Sequence, residues 1–138
     1  MSVLYLESSA ALAWLLGESR SLEVIAKVDE ADTVVTSVLT LLETQRALIR
    51  AERQNILTAG QCNKLSGMLA RASSGWVLME ISQPVRERAA RAFPAEPVRT
   101  LDALHLATAL FFMQVYPDLQ IVTYDRRIAE NAQVLGID

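Results

Sequence analysis

Four carboxylates are placed where an α/β chain does chemistry. Glu7 directly follows the apolar run VLYL (3–6), and Asp125 directly follows IVTY. Asp102 sits in the first turn of RTLDALHLATAL (99–110). Glu43 lies about two turns into a helix that begins just after VVTS, and its neighbours Leu41 and Leu42 predict partial burial. Each acid also has a plain explanation. Asp125 can cap the last helix, Asp102 can favour the positive end of its helix dipole, Glu7 can be a turn residue, and Glu43 can pair with Arg46 or Arg50 along its own helix. Their joint placement at one sheet edge suggests more. Crowded carboxylates raise each other's pKa unless a cation neutralises them. An all-oxygen site suits Mg²⁺ or Mn²⁺, and phosphodiester hydrolysis is the chemistry such a site performs.

Competing chemistries find little support. The single cysteine, Cys62, and the single histidine, His105, fall on different predicted helices, and no Ser–His–Asp set, Gly-rich phosphate loop or Cys/His zinc cluster is present. A phosphoryl-accepting receiver domain needs an aspartate at the end of a middle strand, and WVLMEIS (76–82) ends without one. His105, one turn after Asp102, reads as a hydrogen-bonded, partly buried side chain, with a groove-facing role as the alternative. Trp14, Phe111, Phe112 and Tyr116 read as core by default. Phe111 and Phe112, being adjacent, cannot both face one core, so one of them points to an interface. Arg46, Arg50, Arg126 and Arg127 are candidates to line a phosphate-binding groove.

The elements that must position the acids alternate. VLYL is a strand. SSAALAWLLG follows as a helix, with Ser8 or Ser9 as N-cap and Gly17 as stop. SRSLEVIAKVDEA is a second helix, with Leu22, Ile25, Ala26 and Val28 inward. TVVTS (33–37) is a strand, and VLTLLETQRALIRAERQ a long helix facing inward through Leu39, Leu42, Ala47 and Ile49. Residues 58–73 form a weak helix interrupted by Gly60 and Gly67. WVLMEIS is a strand, Pro84 opens a helix ending near Phe93, and Thr100 caps the helix of Asp102. QIVTYD (120–125) is the last strand, and RRIAENAQVLG the last helix, stopped by Gly136. Strands separated by helices give right-handed crossovers and a parallel sheet covered on both faces. Ligands then bind beyond the carboxyl ends of the strands.

The bulk properties agree with one compact domain over residues 1–138. The chain is 51% apolar, with a net charge of −3, which argues against a generally basic nucleic-acid binder but leaves room for local arginine patches around a bound metal. Arginine outnumbers lysine and concentrates in RALIRAERQ and RERAAR, whose default reading is solvated helix faces. One cysteine excludes an internal disulfide and fits a reducing cytoplasm. No signal peptide is expected before the first strand, and no apolar run approaches the roughly 20 residues of a membrane span.

LYLESSAALAWLL, TSVLTLLETQRAL, RTLDALHLATAL and VTYDRRIAENAQVLGI, in this order and over essentially the whole chain, resemble the motifs of PIN-domain ribonucleases, above all the VapC-like toxins of toxin–antitoxin pairs. The resemblance implies a three-layer α/β/α domain with a central parallel sheet of four or five strands. It implies an acidic cluster at Glu7, Glu43, Asp102 and Asp125, with accompanying hydroxyls at Ser8, Ser9 and Thr123. It further implies an endoribonuclease dependent on Mg²⁺ or Mn²⁺ that cuts RNA, tRNA included, as a cytoplasmic homodimer silenced by a cognate antitoxin. One departure stands out. The family's first acid is usually aspartate, and here it is Glu7. The added methylene leaves three expectations open: an adjusted ligand, a weakened nuclease, or a change introduced to temper toxicity. The alternative is thus a PIN-fold protein that binds RNA or its antitoxin and cleaves poorly.

Overall fold

A computed structural model of the chain describes residues 1–17 and 21–138. Strand β1 (Val3–Leu6) leads into α1 (Ser8–Leu16), followed by α2 (Leu22–Glu30), β2 (Thr33–Ser37) and α3 (Val38–Arg53). Then come α4 (Ala59–Ser73), β3 (Val77–Met79), α5 (Gln83–Ala89), α6 (Thr100–Val115), β4 (Gln120–Val122) and α7 (Arg126–Val134). The four strands form one parallel sheet in the order β3-β2-β1-β4. Hence β1 is central, with β2 on one side and β4 on the other, in the register Tyr5↔Val35 and Tyr5↔Ile121.

Alternation along the strands builds the layers. Val3, Tyr5 and Val35 point to one face and pack against Ala103, Leu106 and Ala109 of α6 and Ile128 and Ala132 of α7. Leu4, Leu6, Val34 and Val122 point to the other, against Ala10 and Ala11 of α1 and Val24 of α2. A satellite cluster joins Leu15, Leu48, Cys62 and Leu69 of α1, α3 and α4. Both faces of the sheet are therefore covered, as a parallel sheet requires.

Several boundaries differ from the sequence expectations, for identifiable reasons. β2 ends at Ser37, paired with Met79, so residues 80–82 have no strand to join and β3 stops at Met79. β1 ends at Leu6, paired with Val122, so Thr123–Asp125 form a loop rather than strand. The N-cap of α1 is Glu7, whose side chain reaches the Ser9 amide, rather than Ser8 or Ser9. The N-cap of α6 is Arg99, and Thr100 is already helical. Gly60 and Gly67 do not interrupt α4. A Thr58/Gln61 capping box starts this helix with Gly60 in its first turn, and burial of Cys62 and Leu69 offsets the roughly 1 kcal/mol that the interior Gly67 costs. The helix opened by Pro84 ends at Ala89, before Phe93. Gly17 (φ 65°) and Gly136 (φ 85°) do take the left-handed conformation expected of helix stops.

Two inward faces also differ from the sequence pattern. In α2 the buried residue is Val24, with Val28 partly buried one turn on, while Leu22 and Ala26 are exposed. Residues 19 and 20 of the expected helix lie outside the described residues. In α3 the buried stripe is Thr40, Thr44 and Leu48 with Leu39, so Leu42 and Ile49 face outward. Hydroxyls take the place of methyls there: Thr36 and Thr40 both turn to the Leu6 carbonyl, at 2.6 and 3.4 Å. Phe112 is buried, Phe111 only partly so, and Trp14 packs edge-on against Trp76. Among the described residues no helix is long and apolar enough to cross a membrane.

Candidate active site

The carboxyl ends of β1, β2 and β4 open onto a cleft of about 560 Å³. Its lining includes Glu7, Glu43, Asp102 and Asp125, and also Arg46, Arg50 and Arg99. All four acids expected from the sequence are therefore brought to one place, from four separate segments. A second cleft, on the flank of β4, gathers no such cluster, and its Lys27 is already paired with Glu23 at 3.3 Å.

Glu7 is buried, and its longer side chain folds back on its surroundings. The Ser9 amide donates to Oε2 at 3.0 Å, and the Ser9 and Thr123 hydroxyls both donate to Oε1. Those hydroxyls in turn accept the amides of Tyr124 (2.8 Å) and Asp125 (2.9 Å). Glu7 thereby ties α1 to the loop that presents Asp125.

Asp125 is the N-cap of α7, with Oδ1 accepting from the Ile128 amide at 3.0 Å. Its Oδ2 lies 3.5 Å from the Arg99 guanidinium, whose Nε is 3.2 Å from Asp102 Oδ2. Cap and candidate ligand are thus the two ends of one carboxylate. Asp102 is held above the usual aspartate range by burial first and then by the charge of Asp125, which together outweigh the nearby Arg99.

Glu43 is the opposite case. Burial raises its pKa, but hydrogen bonds from His105 and Ser8 outweigh this and hold the carboxyl below the usual range. His105 Nε2 is 2.6 Å from Glu43 Oε1, and the Ser8 hydroxyl donates to the same oxygen at 2.6 Å.

Arg99 was not anticipated from the sequence. Its signal is the i, i+3 spacing to Asp102, a cation three residues before an acid at a helix start. Arg46 and Arg50 line the cleft as expected. Arg126 and Arg127 do not, because both turn to Glu130 on the surface of α7, at 3.0 and 3.5 Å.

The PIN-domain family model matches residues 4–134 of the chain. This chain belongs to the PIN-domain family. Its relatives are VapC ribonucleases at full length. Ribonuclease VapC35 of Mycobacterium tuberculosis is 36% identical over 137 residues, covering 98% of this chain and 93% of that protein. Ribonuclease VapC46 of the same organism is 32% identical over 138 residues, covering 99% and 95%. In fold, this PIN domain matches the crystal structure of M. tuberculosis VapC20, a sarcin-ricin loop cleaving toxin, with a TM-score of 0.65 at 16% identity over 92% of this chain and 93% of the other.

As they stand, the acids of this PIN domain are paired within the protein, and among the described residues no three of them converge closely enough to enclose an ion. The donor set is all oxygen, with no thiolate, which is the chemistry of a hard divalent cation. Arg99, 82% exposed at its side chain, spans Asp102 and Asp125 and supplies positive charge between them.

Proposed function

We propose that this chain is a metal-dependent endoribonuclease toxin, silenced by a cognate antitoxin. The observation that carries this reading is the placement of Glu7, Glu43, Asp102 and Asp125 along one cleft in a chain whose full-length relatives are ribonucleases. Glu43, Asp102 and Asp125 would hold Mg²⁺ or Mn²⁺, and Glu7 would complete the set from its capping position. When bound, such a cation lowers the pKa of water and neutralises charge on the transferring phosphodiester. The protein's own groups do the rest. Arg46, Arg50 and Arg99 offer guanidinium forks to backbone phosphates. The hydroxyls of Ser9 and Thr123 fix Glu7. No side chain is required to form a covalent intermediate. Family resemblance supports a homodimer and an RNA substrate with structured loops, tRNA included. Such targets are read through shape and unstacked bases.

One observation favours a second reading, a PIN domain that binds RNA or antitoxin and cleaves poorly. Among the described residues, the hydrogen bonds of the Glu7 carboxylate go to Ser9 and Thr123, with His105 Nε2 3.9 Å from Oε2. The deciding experiment is cleavage of total RNA by antitoxin-free protein in Mg²⁺, in Mn²⁺ and in chelator, beside Asp102→Asn. Discrete fragments that need metal and vanish in the variant support the nuclease. Folded protein that cuts nothing in any lane supports the binding-only reading.

A further inference from the structure

His105 is the only histidine in the chain, and the cation site described above does not use it. Its ring is buried, 1% exposed, yet it is not simply a core residue. Both nitrogens are engaged. Nδ1 lies 2.9 Å from the Tyr5 hydroxyl of β1, and Nε2 lies 2.6 Å from Glu43 Oε1 on α3. Ser8 Oγ sits 3.0 Å from the same Nε2. An ionised carboxylate only accepts, so Nε2 carries the proton facing Glu43, and Nδ1 is left to the Tyr5 hydroxyl. Burial pushes the Tyr5 phenol far above its ordinary range, which keeps that hydroxyl protonated. The two rings meet edge to face with centroids 6.1 Å apart. A polar pair buried this completely is costly unless both members are hydrogen-bonded, and here both are. Groups on β1, α1 and α6 thus fix one carboxylate on α3. Both donors engage Oε1, which leaves Oε2 available.

We infer that His105, oriented by Tyr5, is a positioning residue that holds the Glu43 carboxylate in register for a divalent cation. This rests on the cation site proposed above. Partners that orient a metal's ligands from behind carry about 10- to 100-fold in metal affinity or activity.

The test uses tag-free, full-length protein, so that His105 remains the only imidazole. Mn²⁺ affinity is read by electron paramagnetic resonance without RNA, alongside thermal melting and cleavage kinetics. His105→Leu is expected to weaken Mn²⁺ binding by about 10- to 100-fold, with a matching fall in kcat and little change in KM for RNA. His105→Gln places an amide donor near the Nε2 position and is expected to recover most of the loss. Adding His105→Leu to Glu43→Gln is expected to cost little more than Glu43→Gln alone, because both act through one carboxylate. Should His105→Leu fail to fold, nitrogen NMR of the wild-type ring decides, since Glu43→Gln must then shift the Nε2 resonance.

Four results overturn the inference: a folded His105→Leu within twofold of wild-type Mn²⁺ affinity, full additivity with Glu43→Gln, an Nε2 resonance indifferent to Glu43→Gln, or wild-type protein that binds no Mn²⁺. If Mn²⁺ affinity follows the series while RNA stays uncut, the nuclease reading fails and the positioning role stands.

Discussion

Glu43 receives donors from His105 and Ser8 and sits below the usual carboxylate range, whereas Asp102, lining the same cleft, faces Asp125 and Glu7 and sits above it. One side of the site is satisfied by the buried His105 ring and the part-buried Ser8 hydroxyl. The other is a like-charge pair relieved by an exposed arginine and, at Asp125, by the amide end of α7. A single cleft therefore contains a carboxylate already fixed in place and two whose repulsion would favour the proposed cation. Preorganised dipoles cost nothing at the moment of reaction, while unrelieved charge strengthens binding. The site combines the two by drawing its acids from different segments.

The largest expected effect removes either side. Asp102→Asn and Glu43→Gln should each lower metal-dependent RNA cleavage by at least about 100-fold, since even groups behind a metal's ligands carry up to that much. A variant within tenfold of wild type would remove that residue from the proposed ligand set.

Glu7→Asp comes next. Aspartate is a good N-cap, so the fold should persist. If Glu7 already serves the site from its capping position, cleavage should change by less than about tenfold, well short of the ~10²-fold that a 1 Å misplacement can cause. A gain near 100-fold would instead support the impaired reading.

Arg99→Ala is smaller still. Exposed ion pairs are worth up to ~1 kcal/mol, so losing this internal counter-charge should tighten Mn²⁺ binding about two- to fivefold. Weaker binding would show that Arg99 helps the cation rather than standing in for it.

The smallest effect is the most diagnostic, because its sign reverses across the cleft. Folding raises the Asp102 pKa, so its ionised form costs stability above the folded pKa and nothing below the unfolded one. Asp102→Asn should therefore melt higher than wild type at neutral pH in chelator, with the gap closing on acidification. Folding lowers the Glu43 pKa, so that carboxylate stabilises above its unfolded pKa and loses the contribution as pH falls through the folded value. Glu43→Gln should melt lower at neutral pH, again with the gap closing in acid. Each shift should be a few degrees, the scale of ~1 kcal/mol in a domain this size. Equal signs would erase the contrast.

Much of this was legible in the residues. Strand-end acids and the parallel crossover pattern pointed to one edge, and Glu7, Glu43, Asp102 and Asp125 do line one cleft there. The contrast among them was not legible. It depends on His105 reaching Glu43 across the fold, 62 positions away, and on Arg99 bending back over two acids. The inward face of α3 is not legible because periodicity counts methyls, whereas the helix buries Thr40, whose hydroxyl reaches the Leu6 carbonyl, and Thr44 beside Leu48. Capping preferences favour Ser8 over Glu7, and only the three-dimensional placement of Ser9 and Thr123 makes the glutamate the better cap.

The sheet order also bears on when the cleft can exist during synthesis. β1 is made first and β4 last, yet the two lie side by side, and the Thr123–Asp125 loop reaches Glu7 across 116 residues of sequence. A ribosome adding roughly 5–20 residues per second needs many seconds to cover that distance. Throughout that interval the nascent chain has at most three of the four acids and no closed site. On the proposed function, its own messenger and the ribosome translating it would meet a chain without a complete acidic site until the segment carrying Asp125 has emerged and docked.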